Sequence, residues 1–266
     1  MREESKASGE PADLYFAQQR LSLFVDPAKE MRPRDEGEAY ALQDKINRRL
    51  SALGMGPRVG YKIGCTTPVM QQYLGIFNPC AGEIFGATRT PNHGHLSRDR
   101  YRRLGVECEI VAQLSRDIDP SQAPFTRESM AAAVLALAPG IEVVDDRYRD
   151  FKAQGVPTLI ADNFFNAGFV LGEPIEKWRG LDLAKIEGSI SINGREVGRG
   201  DGAMVLGHPL EALVWLANSR ASRGLQLRRG QFIFLGSLVE TKWLNAGDVV
   251  RIELARLGAL DVRVSK

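Results

Sequence analysis

The hydrophobic positions near the N-terminus follow the period of an α-helix. They recur at steps of three and four residues, with charged side chains between them, at Ala39, Leu42, Ile46, Leu50 and Leu53. A Gly-Met-Gly-Pro stretch at 54–57 ends this pattern. Residues 1–12 are polar and are expected to attach loosely. The pattern therefore predicts an N-terminal helical segment over residues 1–58.

Beyond residue 58 most patterns are those of strands. Apolar residues alternate with polar ones on either side of Gly258, which predicts a closing hairpin, and an Asn-Gly pair at 193–194 predicts a second hairpin. Helices are predicted over 131–137 and after Pro209, the second ending near Gly224. Strands and helices do not alternate regularly, so residues 59–266 are expected to form one mixed α+β domain.

Two acids, Glu107 and Glu109, interrupt an apolar, strand-like run over residues 105–112. With a side-chain period of two, the acids share one strand face and the apolar residues share the other. A third acid, Glu142, lies in another β-branched run. A Glu-x-Glu pair alone is typical of the solvated face of an antiparallel sheet. Three carboxylates that converge from two strands would instead form a site for Mg²⁺, Mn²⁺ or Ca²⁺.

Charge and cysteine content exclude several classes of protein. The chain has 35 basic and 33 acidic residues and a formal net charge of +2, so neither nucleic acid nor an anionic membrane surface is an expected partner. Its three cysteines are widely spaced, which favours a reducing cytoplasm over a disulfide framework. The polar N-terminus predicts no signal peptide, and no run approaches the roughly 18 apolar residues of a membrane span.

Seven short motifs in a fixed order support a family resemblance. They are Gly-Tyr-Lys-Ile-Gly (60–64), Val-Glu-Cys-Glu-Ile (106–110), Ile-Glu-Val-Val-Asp-Asp-Arg (141–147), Ala-Asp-Asn (161–163), Val-Leu-Gly-His-Pro (205–209), Trp-Leu-Ala-Asn (215–218) and Gly-Ser-Leu (236–238). With them the chain resembles the fumarylacetoacetate hydrolase superfamily, and within it the branch of 2-keto-4-pentenoate hydratases and 4-oxalocrotonate decarboxylases. The resemblance implies a mixed β roll with flanking helices, and a homo-oligomer.

The resemblance also implies a metal site and a substrate class. Family members hold a divalent cation, Mg²⁺ or Mn²⁺, through three acids that match Glu107, Glu109 and Glu142. The cation binds a small 2-oxo acid through its carboxylate and 2-oxygen, and polarises that oxygen as a Lewis acid. The family's lysine matches Lys62, whose ammonium would stabilise an enolate or carry a proton.

Three further positions match the family. Ser237 stands where the family has a hydroxyl that binds the substrate carboxylate. Arg147 and Asp162 match as substrate-binding or supporting groups. Judged from the residues alone, plainer interpretations stay open, with Lys62 as an exposed strand lysine and Ser237 as a turn residue.

Two departures from the family pattern bear on the reaction. Cys80 stands where the hydratases usually carry an aspartate, and a thiol cannot act as a base for water unless its pKa is strongly lowered. The family's Asp-Asn-Ala-Ser is Asp-Asn-Phe-Phe here, with Phe165 in place of a small polar residue. This change should alter the size or polarity of the pocket.

The favoured activity is hydration of a 2-hydroxy-2,4-dienoate to a 4-hydroxy-2-oxo acid, in the catabolism of aromatic compounds. Decarboxylation of a 2-oxo-dienedioate such as 4-oxalocrotonate is the first alternative, and it tolerates Cys80 better because it needs no base to activate water. Hydrolytic carbon–carbon cleavage is a weaker option. An alternative of another class is a non-catalytic metal-binding partner that supports a sister enzyme.

Overall fold

Two β-sheets and the helices around them make up the protein. The computed structural model describes residues 10–24 and 26–266. Its helices are α1 (Pro11–Leu21), α2 (Glu36–Leu50), α3 (Pro68–Leu74), α4 (Arg127–Ala133), α5 (Val156–Ala161) and α6 (Pro209–Ala221). Its strands are β1 (Arg58–Gly64), β2 (Cys80–Phe85), β3 (His95–Ser97), β4 (Leu104–Leu114), β5 (Val134–Asp145), β6 (Asn166–Leu171), β7 (Glu187–Ile192), β8 (Arg195–Asp201), β9 (Phe232–Ser237), β10 (Lys242–Trp243), β11 (Val249–Leu254) and β12 (Gly258–Ser265). Over the described residues, no helix has the length and apolar character needed to cross a membrane.

The larger sheet has seven strands and carries the central strand β4. Its order is β2-β1-β9-β4-β5-β6, with β10 paired to β4 outside this path. Strand β1 pairs with β9 in parallel and with β2 in antiparallel fashion, so the sheet is mixed. The smaller sheet has five strands in the order β3-β12-β11-β7-β8. This arrangement confirms the predicted mixed α+β fold class.

Strand β4 shows the alternation that its sequence predicts. Val106, Cys108, Ile110 and Ala112 are completely buried in the main hydrophobic core. Burial of a valine or isoleucine of this kind stabilises the fold by about 1.5–3 kcal/mol. Glu107 and Glu109 occupy the alternate positions, so their side chains lie on the opposite face of the sheet.

Both predicted hairpins are confirmed. Strands β7 and β8 are joined at Asn193 and Gly194, whose φ angles of 53° and 78° suit a turn with left-handed backbone. Strands β11 and β12 pair in antiparallel fashion, with Val249 opposite Arg263 at one end and Leu254 opposite Gly258 at the other. The helix predicted after Pro209 is also confirmed, and the side chain of His208 caps it by accepting a hydrogen bond from the Leu210 N–H at 3.2 Å.

The N-terminal helices pack on the larger sheet and on α5. Asp35 caps α2 by accepting a hydrogen bond from the Glu38 N–H at 2.9 Å. Ile46 of α2 is buried in a small cluster with Phe85 and Ala161. Residues 1–9 lie outside the described chain, but the expectation of loose attachment is wrong for 10–12, because Pro11 opens α1 and Ala12 is buried. The division between residues 58 and 59 stays a prediction.

The helix predicted over 131–137 is wrong in its second half. Helix α4 ends at Ala133, and β5 begins at Val134, which pairs with Leu114 of β4. Alanine and leucine favour a helix locally, but the ladder to a long neighbouring strand overrides that preference. Buried Leu137 is thus part of the strand that later carries Glu142.

Candidate active site

Three carboxylates meet on one face of the larger sheet. Glu107 on β4 lies directly opposite Glu142 on β5 in the antiparallel ladder, and Glu109 follows two residues along β4. One oxygen from each carboxylate lies within 4.8 Å of the others. The alternation of β4 and the register of β4 with β5 are therefore sufficient to bring the three predicted metal ligands together.

The hydrogen bonds around these carboxylates leave two fully buried oxygens without a donor among the described residues. The Gly236 N–H donates to Glu109 Oε2 at 2.8 Å, and the Asn166 side-chain amide donates to Glu142 Oε1 at 3.0 Å. Gly236 has a φ of 113°, a value that favours glycine, so the strand can turn its N–H towards the acid. Among the described residues, neither Glu109 Oε1 nor Glu142 Oε2 has a hydrogen-bond partner. Buried oxygens without donors suit a hard cation.

Burial makes the ionised carboxylates costly. It raises the pKa of Glu107 to about 7, together with the charge of Glu142 and against the opposing effects of Lys62 and the Thr241 hydroxyl, which donates to Glu107. Burial and the neighbouring charges of Glu142 and Glu107 raise the pKa of Glu109 well above its usual range. The metal-free site therefore retains protons, and a cation that binds there must displace them.

Lys62 approaches the carboxylates from β1. Its Nζ lies 3.2 Å from Glu142 Oε1 and donates to the Phe164 carbonyl at 2.6 Å. Burial acts to lower the pKa of Lys62, but the three glutamates raise it by a larger amount. Gly82 lies directly opposite on β2, and a Cβ there would come within 3.0 Å of Lys62 Cε. The lysine is therefore buried and paired rather than an exposed strand residue.

The charges of this cluster match a divalent cation. Once a cation has displaced the protons, three ionised glutamates and one ammonium would sum to a formal charge of −2 (three negative, one positive). Two positive charges would neutralise it, and carboxylate oxygens are the ligands that Mg²⁺, Mn²⁺ and Ca²⁺ prefer. The donor set therefore fits the predicted cofactor.

Ser237 stands at the end of β9, opposite Glu109. Its hydroxyl accepts from the Cys108 N–H at 3.2 Å and donates to the Val239 carbonyl at 2.5 Å. The serine thus lies at the edge of the carboxylate cluster, with its proton held by the backbone.

Arg147 and Asp162 pair with each other behind the carboxylates. Arg147 Nη2 lies 3.0 Å from Asp162 Oδ2, and both side chains are buried. Arg147 also donates to the Asn166 carbonyl at 3.4 Å, and the Asn166 amide contacts Glu142. In this structure the arginine thus supports the residue that holds a predicted metal ligand.

The turn at residues 163–165 forms the other side of the site. Asn163, Phe164 and Phe165 all have left-handed backbone, with φ of 60°, 47° and 66°. The Asn163 side chain holds the turn against β2, because it accepts from the Glu83 N–H and donates to the Glu83 carbonyl, each at 2.7 Å. The Phe164 ring lies 5.1 Å from Lys62 Nζ.

Cys80 is completely buried on β2, on the same strand face as Gly82, the residue opposite Lys62. Its interaction with Cys65 and its burial raise the pKa of the Cys80 thiol. A thiol of this kind is not a base for water.

Four contributors to the site were not expected from the sequence: Thr241, Gly236, Asn166 and the Phe164 carbonyl. Asn163 belongs to the Ala-Asp-Asn motif, and its residue type is a usable signal, since asparagine adopts left-handed backbone more readily than most residues. Backbone donors and acceptors leave no pattern in the sequence. The contact of the Gly236 N–H with Glu109 and that of the Phe164 carbonyl with Lys62 can therefore be found only in the structure.

Comparisons with known proteins agree with this geometry. The family described as "Fumarylacetoacetate (FAA) hydrolase C-terminal" matches residues 85–265. A 2-keto-4-pentenoate hydratase of Paraburkholderia xenovorans is 34% identical over 223 residues, which cover 84% of this chain and 81% of the relative. A 4-oxalocrotonate decarboxylase of a Pseudomonas species is 33% identical over 241 residues, an alignment that covers 90% of this chain and 88% of the decarboxylase.

A solved structure extends the similarity to the whole fold. The 4-oxalocrotonate decarboxylase from Pseudomonas putida G7, complexed with magnesium and adipate, aligns with a TM-score of 0.89 and 26% identity. The alignment covers 96% of this chain and 95% of the decarboxylase, and it confirms the predicted type of fold. Sequence and structure together show that the chain belongs to the fumarylacetoacetate hydrolase family.

Proposed function

We propose that this protein is a divalent-metal-dependent hydratase that adds water to a 2-hydroxy-2,4-dienoate of the 2-keto-4-pentenoate type and forms a 4-hydroxy-2-oxo acid. The observation that carries the proposal is the buried cluster of three carboxylates with Lys62 in contact with one of them. Hydratases that match most of the chain at 34% identity support the reaction type. The reaction belongs to the catabolism of aromatic compounds.

Glu107, Glu109 and Glu142 would hold the cation, Mg²⁺ or Mn²⁺. When bound, it would chelate the carboxylate and 2-oxygen of the substrate and supply Lewis-acid polarisation. The protein's part is to place these acids on two paired strands and to keep water from the cluster, since Glu109 and Glu142 are buried.

Lys62 stabilises the enolate and carries a proton at Nζ. An ammonium has three N–H donors. The Phe164 carbonyl and Glu142 account for two of them, which leaves one for the substrate. The geometry also fixes the ammonium at the edge of the carboxylate cluster, where a developing negative charge on a bound 2-oxo acid would lie.

Ser237 binds the substrate carboxylate through its hydroxyl. In this structure the hydroxyl donates a hydrogen bond to the Val239 carbonyl, so it would rotate to donate to the substrate instead. Arg147 and Asp162 keep the site in shape through Asn166 rather than by touching the substrate.

The test is turnover by the purified chain alone. With Mg²⁺ or Mn²⁺ it should consume 2-hydroxypenta-2,4-dienoate, which is followed by loss of the dienoate absorbance, and should form 4-hydroxy-2-oxopentanoate. Addition of a chelator should stop the reaction, and the cation should restore it. If the chain turns over nothing alone but activates an added sister decarboxylase or hydratase, it is the non-catalytic partner instead.

Decarboxylation of a 2-oxo-dienedioate is the second candidate. Buried Cys80 favours it, because a thiol with a raised pKa cannot activate water and decarboxylation needs no such base. Release of CO₂ from 4-oxalocrotonate in the same assay would select this reaction over hydration.

We also propose that the protein assembles as a homo-oligomer in the cytoplasm and associates with a sister enzyme of the same pathway. Exposed apolar side chains on and after α3 support an assembly, with Val69 75% and Phe77 97% exposed. Sedimentation of the purified chain, alone and with the sister enzyme, measures both associations.

A further inference from the structure

A row of aromatic rings leads from the buried lysine to the protein surface. It consists of Phe164, Phe165, Phe151 and Tyr73, and we call it the aromatic wall. Successive ring centroids are 5.6 Å, 5.6 Å and 6.5 Å apart. Phe164 is buried, Phe165 and Phe151 are partly exposed, and Tyr73 is 48% exposed. The wall therefore runs from the interior to solvent.

The inner end of the wall adjoins the proposed catalytic groups. Lys62 Nζ is 5.1 Å from the Phe164 ring and 3.2 Å from Glu142 Oε1, so it lies between the ring and the carboxylates. A 2-oxo acid that is held at the carboxylate cluster and contacts Lys62 has the Phe164 ring within reach of its far end, and Phe165 lies next to that ring.

The protein holds this wall in a strained conformation. The left-handed backbone of residues 163–165 is unfavourable for side chains such as phenylalanine, at about 1–2 kcal/mol for each residue. Asn163 secures one end through the Glu83 backbone, and the ring of Tyr148 packs edge-on against Phe165 at 6.1 Å. Strain that the surroundings maintain is typical of functional sites.

The cations along the wall are unsuited to a second carboxylate of a short substrate. Lys62 and Arg147, at the inner end, already face Glu142 and Asp162. Lys152 lies over the Tyr73 ring at 4.1 Å, at the outer end and three rings from Phe164. A carboxylate at Phe165 would therefore lose water and meet the faces or edges of rings.

We propose that the aromatic wall, centred on Phe165, binds the far end of the substrate and selects 2-hydroxy-2,4-dienoates that end in hydrogen or an alkyl group over those that end in a second carboxylate. The inference rests on the proposed function for its reaction. Burial of an alkyl tail against the rings makes its binding free energy more favourable. A carboxylate at the same place loses its hydration without a cation to replace it, so its binding is less favourable.

A binding experiment tests the wall without turnover. Calorimetry compares 2-oxohexanoate and 2-oxoadipate, which have the same chain length and differ in the far end, on the Mn²⁺-loaded protein. We expect 2-oxohexanoate to bind about tenfold tighter or more. Phe165→Ser should bring the ratio of the two dissociation constants towards one, and Phe165→Arg should reverse it. Phe24→Ala removes a partly exposed ring that stacks on Arg102, outside the wall, and should leave the ratio unchanged.

The outcomes separate this inference from the proposed function. Equal or tighter binding of 2-oxoadipate by the wild type, or an unchanged ratio in a Phe165→Ser protein that keeps its Mn²⁺ affinity, overturns the role of the wall. Absence of dienoate turnover together with a strong preference for 2-oxohexanoate overturns the hydratase assignment and leaves the wall in place. Turnover with the same preference supports both.

Discussion

The carboxylate cluster and the aromatic wall are built on different kinds of backbone. Glu107 and Glu142 face each other across a regular antiparallel ladder, where the register fixes the spacing of their Cα atoms. Phe164 and Phe165 lie on a short irregular turn with left-handed backbone. The comparison indicates that the part of the site assigned to the metal is set by the sheet, whereas the part assigned to the substrate tail is set by a turn that can change independently.

The two regions also carry different kinds of unfavourable energy. In the carboxylate cluster it is electrostatic, because buried glutamates lie near one another, and a cation or protons relieve it. In the turn it is conformational, and two hydrogen bonds between the Asn163 side chain and the Glu83 backbone, one in each direction, offset it. The buried pair of Arg147 and Asp162 joins the regions, since Arg147 follows β5 and Asp162 precedes the turn.

Removing one carboxylate should have the largest effect. Glu109→Gln takes away a ligand charge and should weaken Mn²⁺ binding about a hundredfold or more and abolish turnover. The metal-free variant should be at least as stable as the metal-free wild type, because the substitution removes a buried carboxyl group that is unfavourable when ionised and keeps the acceptor for the Gly236 N–H. Calorimetry with Mn²⁺ and thermal unfolding without it measure the two effects.

Glu253→Gln is the matched control, since Glu253 is 62% exposed on β11, a strand of the smaller sheet, whereas the cluster lies on the larger one. It should leave metal binding and turnover unchanged. Undiminished Mn²⁺ affinity in Glu109→Gln would show that the cluster is not the metal site.

Removing the ammonium should separate catalysis from metal binding. Lys62→Met should lower kcat about a hundred- to ten-thousandfold, the range expected for a lost proton-transfer or charge-stabilising group. Mn²⁺ should bind as tightly as in the wild type or more tightly, because a positive charge next to Glu142 is gone. Lys185→Met, at an 83% exposed lysine, serves as the control. An unchanged kcat in Lys62→Met would refute the catalytic role.

The sequence was sufficient to predict the carboxylate cluster because its signal has a regular period. Alternation within 105–112 places Glu107 and Glu109 on one face, the β-branched run around Glu142 indicates a second strand with a third acid, and the family resemblance adds the role of Lys62. The core residues of β4 follow from the same alternation, and the Asn-Gly hairpin follows from local turn chemistry. In each case residues close in the sequence contain the information.

The aromatic wall could not be predicted in this way. Its rings come from α3, from the segment before α5 and from the turn after α5, and only tertiary packing brings them together. The sequence predicts that Phe165 changes the pocket, but nothing near it in the sequence indicates Phe151 or Tyr73 as its neighbours. The error over 131–137 has the same origin, because the pairing of Val134 with Leu114 is a contact between distant residues.

Substitutions of Asn163 should have the smallest effect on the chemistry and the clearest effect on the turn. Asn163→Ala loses both bonds to buried Glu83 backbone groups and keeps a Cβ in left-handed backbone, so it should lower the free energy of unfolding by about 3 kcal/mol. Asn163→Gly loses the bonds without the strain and should be about 1 kcal/mol less destabilised. Mn²⁺ affinity should stay unchanged in both, because the ladder holds the carboxylates.

Asn193 provides a matched control for this last prediction. It also has left-handed backbone, with a φ of 53°, and its side chain makes two hydrogen bonds, one to Asp248 and one with the Val249 N–H, whereas the side chain of Asn163 makes three, the third with Asn47 at 3.3 Å. Because that hairpin is exposed, water can replace the lost bonds, and Asn193→Ala should cost about 1 kcal/mol. Denaturant unfolding measures the free energy of unfolding of four variants, the Ala and Gly substitutions at Asn163 and at Asn193. The difference between Ala and Gly at one position reports backbone strain, and the difference between the two positions reports the buried hydrogen bonds. If Asn163→Ala lowered Mn²⁺ affinity as much as Glu109→Gln does, the turn and the carboxylate cluster would be one unit, and the independence inferred from their backbones would be wrong.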